Sequence, residues 1–425
     1  MSLVERVAQY KGAFDDESTA KLISLLERLK SARVSGAASL IALHETLLFL
    51  RAYPRNRRLL QLTEELLCTF SARLKRIDPA EFEYAEVSGI AGTGLSTNFS
   101  HPFAKSLAAR HARRIHIDWD HFEHRERLGA ILARLIPAAF EDWAVAAHPD
   151  WRRWFEKARG TLPWLLAEVT PETYDLLELP LRWELGDSAA SRTLARLPRS
   201  SRTHIFYHRE PLLARKDISL EAEFKSPRIA VRRLDRTAAE KILDVIIDAS
   251  AVRYRELYGF LYPDLANVFH ANLGRGVDFY FFGVPRRWRL PERSYCSGMF
   301  FKNGVPMGYV ELMELNRRME VGFNLYYTFR QGETAWLYAR LLKLFRERFQ
   351  IASFVIDPYQ LGQENEEAIE AGAFWFYYKL GFRPEDATVR GLAGRETARI
   401  TTEPAYRTSP RMLRKLAKSE MIYAC

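Results

Sequence analysis

Between Val277 and Phe329 four apolar runs, VDFYFFGV, YCSGMFFKNG, VPMGYVELMEL and MEVGFNLYYTF, follow one another with short breaks. Runs of this length, rich in Phe, Tyr and Val, are the pattern of strands that pair with their sequence neighbours. Asn303-Gly304 at one break is a hairpin turn signal, because both residues tolerate the positive φ that a two-residue turn requires. The flanks supply other elements. IAVRRL, from Ile229, reads as a strand, and Thr237 opens a helix through Ile242, Val245, Ile246 and Ala249. Beyond the strands, Glu333 to Phe349 carries Tyr338, Leu342, Phe345 and Phe349 on one helical face. ASFVID is then a strand, and Asn365 to Leu380 a helix with Ile369, Ala373, Phe376 and Leu380 in register. The expected fold class is α/β (α+β), with a mixed-sheet domain at 226–400.

The residues before it read differently. Leu22, Leu25, Leu26 and Leu29 recur at helical spacing behind a capping Ser18, and Leu40, Leu43, Leu47 and Leu50 continue until Pro54. Leu59, Leu62, Leu66, Phe70 and Leu74 make a third segment, so three amphipathic helices pack as an antiparallel bundle. A small α/β insertion is expected at 84–126: YAEVSGI and RIHIDW as strands, AGTGLSTNFS as a loop and PFAKSLAARH as a helix. Helical patterns resume from Arg125 to Leu197, with Trp143, Trp151, Trp154, Trp164 and Trp183. The domain expectation is a mostly helical region at 1–197, a linker at 198–225 holding a strand-like piece from Thr203 to His208, and a basic tail at 401–425 with a short helix started by Ser409-Pro410.

A length of 425 residues exceeds one ordinary core. Apolar residues at 48% and charged residues at 27% give the balance of a globular chain. No apolar run is long enough to span a bilayer, and MSLVERVAQYKG lacks a secretory apolar core. Cys68, Cys296 and Cys425 make neither a disulfide framework nor a zinc spacing, so a cytoplasmic location is expected. The net charge of +10 suits an anionic partner, be it nucleic acid, a nucleotide-bearing cofactor or acidic lipid. Interleaving with Asp and Glu gives the plainer reading of a solvated surface.

The order of elements at 226–400, together with FYYKLGFRP at Phe376 to Pro384, resembles the N-acetyltransferase (GNAT) superfamily. Tyr377, Lys379, Leu380, Gly381 and Phe382 match the family's Tyr-x-Lys-Leu-Gly-Phe phrase; Leu380 completes the buried stripe and Gly381 suits the left-handed end of a helix. The resemblance implies acetyl-CoA, or another acyl-CoA, bound where two parallel strands splay, with its pyrophosphate on the next helix N-terminus. The family phrase there is Arg or Gln, two residues, Gly, one residue, then Gly or Ala. In FRQGETA, Arg330 and Ala335 fit its ends, Gln331, Gly332 and Thr334 lie within it, and Glu333 departs at the middle glycine. A carboxylate beside a diphosphate is a like-charge contact. Glu in a first helical turn also stabilises the helix itself by about 0.3–1 kcal/mol.

The resemblance further implies Tyr377 as the acid for the departing thiolate, a backbone N–H at Leu325 or Tyr326 for the oxyanion, and Asn365 against the cofactor arm or as a helix N-cap. Glu311 and Glu320, on adjacent strands, are the candidate bases, with solvated sheet positions as their plainer reading. The function implied is transfer of an acyl group to an amine, with no metal and no membrane. The residues choose neither the acceptor nor the oligomeric state. The other reading is a non-catalytic protein of this fold whose basic, aromatic surface binds a protein or nucleic acid. Two further patterns have plain readings: Gly92-Thr93-Gly94 is a loop, since Thr97 stands where a dinucleotide fingerprint needs its third glycine. His116, Asp118, Asp120, His121 and His124 are polar surface unless they converge on a metal.

Overall fold

The computed structural model describes residues 1–135, 155, 160–201 and 204–425. Trp143, Trp151, Trp154 and Thr203 lie outside the described residues. The chain is α/β: a large mixed sheet and many helices, with a helical part before it.

Three helices form where the leucine spacing puts them, at Asp16–Ser31, Ala37–Ala52 and Arg57–Cys68, the last ending before Phe70 and Leu74; the helix Leu3–Tyr10 was not anticipated. Asp15, not Ser18, caps Asp16–Ser31, accepting the Ser18 N–H at 2.7 Å. Leu22, Leu26, Leu29, Leu43, Leu47, Leu59 and Leu62 are fully buried between them. The insertion is a three-stranded antiparallel sheet of β1 (Gly94–Thr97), β2 (Ile115–Ile117) and β3 (Leu181–Glu184), with β3 in the middle. Two expectations fail here. Residues 84–90 are turn and irregular chain instead of a strand, while the Gly/Ser/Thr run supplies β1. LRWE, read as helical, is the central strand, because alternation buries Leu181 and Trp183 completely.

The large sheet has nine strands: β4 (Val231–Arg233), β5 (Val268–Gly274), β6 (Val277–Gly283), β7 (Ser294–Lys302), β8 (Val305–Leu315), β9 (Arg318–Leu325), β10 (Ser353–Ile356), β11 (Arg383–Pro384) and β12 (Met421–Ala424). Their order is β11-β12-β10-β9-β8-β7-β6-β5-β4, antiparallel throughout except for the parallel pair β9 and β10. β5 was not anticipated. Nor was β12, which makes the tail the partner of both β10 and β11; the Ser409-capped helix Pro410–Leu416 precedes it. The helix Thr334–Phe349 lies on one face, its Phe345 edge-on to Phe281 at 5.3 Å. The helix Arg236–Ala251 starts one residue before Thr237, capped by Asp235.

The stretch read as a linker is packed. The described part of its strand-like piece, 204–208, is not a strand. His208 is buried and donates its N–H to the Pro54 carbonyl at 2.8 Å, and Phe206 N–H donates to Asn303 Oδ1 at 2.8 Å. The helix Leu220–Lys225 is tied to Thr334–Phe349 by Glu223–Arg340 at 2.7 Å. Among the described residues no helix is long and apolar enough to cross a membrane.

Candidate functional site

β9 and β10 pair only from Arg318–Ser353 to Glu320–Val355, and then separate. β9 runs on to Leu325, whereas Asp357 caps a turn of helix at Pro358–Leu361 and carries the other chain away. Tyr326 N–H donates to the Met307 carbonyl of β8's leading edge at 2.9 Å. Backbone direction alternates along a strand, so the N–H groups of Phe323 and Leu325 point the other way, into the gap. Phe323 N–H is met there by Gln360 Oε1 at 3.4 Å, and the Leu325 carbonyl by Arg330 Nε at 3.2 Å. The gap opens on a cleft of about 300 Å³ whose lining includes Asn324, Arg330, Thr334, Gln360, Asn365 and Tyr377.

The helix Thr334–Phe349 starts at this cleft with no side-chain cap. Its first N–H groups and the positive end of its dipole are the local conditions for anion binding. Glu333 does not create the like-charge contact expected of it. Its carboxylate is 3% exposed and turned to the interior, where it meets Arg275 at 2.5 Å, Lys302 at 3.4 Å and the Leu213 N–H at 3.2 Å. Lys302 is wholly buried, with its Nζ 4.6 Å from the Tyr53 ring centroid. Burial pushes the Lys302 pKa down to about 7, against the raising effect of Glu333 and with help from Arg275. Gly332 precedes this anchor because space demands it: a Cβ there would lie 2.2 Å from the Tyr53 hydroxyl. Gln331 is exposed and Ala335 buried.

Tyr377 lines the cleft and is otherwise enclosed by Tyr338, Phe376 and Phe382, with ring centroids at 5.6, 5.2 and 5.9 Å. Burial raises its hydroxyl pKa well above the ordinary value, so it stays protonated. Its helix is shorter than the sequence spacing indicates. Gly372, in the left-handed region at φ 65°, splits the stretch into Glu366–Glu370 and Ala373–Lys379. Asn365 both lines the cleft and caps the first of these, accepting the Ala368 N–H at 3.1 Å. Arg330 forms an ion pair with Glu367 across the cleft mouth.

The remaining candidates lie elsewhere. Tyr326 has spent its N–H on β8, and its ring is covered by the Arg253 guanidinium at 4.1 Å. Phe323 packs against Tyr338 of the helix face, so alternation puts Glu320, Gly322 and Asn324 on the opposite face. Glu311, opposite Gly322, shares that face and accepts the Tyr295 hydroxyl at 2.5 Å. Burial, then the charge of Asp357, raises the Glu320 pKa. Neither carboxylate lines the cleft.

No protein-family model matches this chain, and no curated protein or solved structure is significantly similar to it. The surroundings of the cleft include residues that no local pattern marks. The turn from β9 into the helix is gripped by the N-terminal helices: Thr328 donates its hydroxyl to Glu45, which Arg192 also holds at 2.7 Å. Burial would raise the Glu45 carboxyl, but Arg192, His44 and Thr328 outweigh it and hold the pKa at about 2. The possible metal ligands at 116–124 do not converge. His121 pairs with Asp118 at 3.0 Å and His124 with Glu178 at 2.9 Å. Among the described residues no group of three His, Cys, Asp or Glu is placed to hold a metal.

Proposed function

We propose that the chain is a cytoplasmic acyltransferase of the N-acetyltransferase type, moving an acyl group from acyl-CoA to an amine. One observation carries the reading: the parallel pair parts after Glu320–Val355, and an uncapped helix N-terminus, the Leu325 N–H, Arg330 and Tyr377 converge on the opening. The helix N-terminus and Arg330 hold the diphosphate of the co-substrate. The exposed Arg330–Glu367 pair yields to it, since a pair of this kind contributes only about 0–1 kcal/mol.

In the gap the thioester carbonyl faces the Leu325 N–H. The amine nitrogen forms its bond to the carbonyl carbon while the oxygen gains charge, which that N–H stabilises. The C–S bond then breaks, and Tyr377, kept protonated by burial, gives its proton to the thiolate. The proton lost by the amine passes through water to the Tyr377 oxygen, which restores the acid for the next turnover.

The test is thermal unfolding of the full chain with and without acetyl-CoA. At a ligand concentration about 100 times Kd, binding adds roughly 2.7 kcal/mol, a rise of several degrees at most. The rise should saturate and be lost in Arg330→Glu. Absence of any rise with acetyl-CoA would overturn the reading in favour of a protein that keeps the fold and binds a partner instead.

A further inference from the structure

We propose that the outer edge of the large sheet, at β4, binds the phosphate backbone of a single-stranded nucleic acid. Arg228, Arg232, Arg233 and Arg348 line the hollows at this edge, and the segment that holds the first three is rich in positive charge. From Arg196 to Arg236 eleven Lys and Arg stand against five Asp and Glu, more than half of the chain's excess of +10. β4 pairs with β5 on one side, and among the described residues no strand pairs with its other side.

Two hollows flank it. On the helix-covered face, Arg228, Arg233 and Arg348 surround a groove of about 600 Å³ floored by Ile229, Phe269 and Leu344. The guanidinium of Arg348 lies 5.3 Å from the Phe269 ring centroid. The one carboxylate in the groove, Glu347, is already held by Lys343 Nζ at 2.8 Å. On the other face Arg232, Ser200, Ser201, His270 and Asn272 line a hollow of about 340 Å³. Arg232 donates to His270 Nδ1 at 3.2 Å, and Arg233 to the Ala266 carbonyl at 2.6 Å. Among the described residues none of the four arginines is paired with a carboxylate.

Arginine on an edge strand also prevents edge-to-edge pairing. That role does not require Arg228 before the strand and Arg348 from a helix to converge with it on a concave surface. Guanidinium forks match phosphate oxygens two at a time. The two hollows share Ala230 and Val231 and open on opposite faces of one edge. An occupant of both must wrap that edge and carry charge at intervals. A flat membrane reaches one face, and a duplex, with a persistence length of about 50 nm, is too stiff to fold round a single strand. A flexible single strand meets both conditions.

The experiment is fluorescence anisotropy of a labelled oligouridylate, and of its DNA counterpart, titrated with the full chain at several salt concentrations. Four phosphate contacts give a slope of log K against log salt of about −2.8, a loss of about fifty-fold between roughly 50 and 200 mM salt. Arg228→Gln/Arg233→Gln/Arg348→Gln should bring the slope to about −0.7, with unchanged circular dichroism. The equally exposed Arg395→Gln/Arg411→Gln should leave it unaltered. No binding at roughly 100 µM protein in low salt overturns the proposal. So does binding that both variants weaken equally, which would mean diffuse charge, or displacement of the oligonucleotide by a poly-glutamate peptide at equal charge. The readout does not involve acyl-CoA, so it stands or falls apart from the transferase reading.

Discussion

Replacing Glu333 by glycine, the residue that the acyltransferase phrase has at this position, tests which way its carboxylate faces. The interior orientation makes the substitution costly. Glu333 is 3% exposed and Lys302 not at all, and Arg275 adds a second cation 2.5 Å from the same carboxylate. Deleting one partner of a buried ion pair costs about 3–5 kcal/mol. Two features of the site favour the lower end. Lys302 can shed its proton, because burial has already pushed its pKa down to about 7 and Glu333 is the influence opposing that fall. Arg275 is about one-quarter exposed and keeps some water. Glycine itself is tolerated at an N-cap. The expected loss is therefore about 3 kcal/mol, read from urea unfolding at neutral pH. Lys302→Met should remove much of the penalty, giving the double variant a coupling of about 0.5–3 kcal/mol. An unchanged unfolding midpoint together with tighter acetyl-CoA binding in Glu333→Gly would refute this geometry, since it would put the carboxylate in the cleft.

Tyr377 and Lys302 give two other outcomes. Tyr377→Phe should lower kcat by about 10²–10⁴ while leaving KM for acyl-CoA nearly unchanged, as measured by thiol release; an unaltered kcat would remove Tyr377 from the proton transfer. Lys302 should make stability depend on pH: between its native pKa of about 7 and its ordinary 10.5 the unfolded chain holds a proton that the native chain lacks. Stability then rises with pH across that window, by up to about 1.4 kcal/mol per unit. Lys302→Met should flatten the rise, and an identical profile in both proteins would assign it to other groups.

Much of the large sheet was legible because its signals are local. Four apolar runs and an Asn-Gly turn are short-range features, and β6 to β9 formed where they stand. The cleft was partly legible for the same reason: Leu325, Arg330, Thr334, Asn365 and Tyr377 all line it. Gln360 was missed, since nothing in its neighbours shows that it will meet the Phe323 N–H of a strand that has lost its partner. LRWE was misread as helix because a four-residue strand is too short to declare its period amid helical segments. The last strand was missed because MIYA is no longer, and its place between β10 and β11 depends on chain far from it.

The sequence by itself determined which segments are helix and which are strand across most of 226–400, through side-chain spacing that acts over a few residues. Tertiary structure alone decided the direction of Glu333. Its identity signalled a like charge beside a phosphate. Arg275, Lys302 and Leu213, at least 31 residues away in sequence, draw it instead into the interior. It also gave the N-terminal helices a part in the site, through Glu45 on Thr328 and Tyr53 beneath Gly332. A buried charge must find its partner wherever the fold puts one, and no local pattern carries that address.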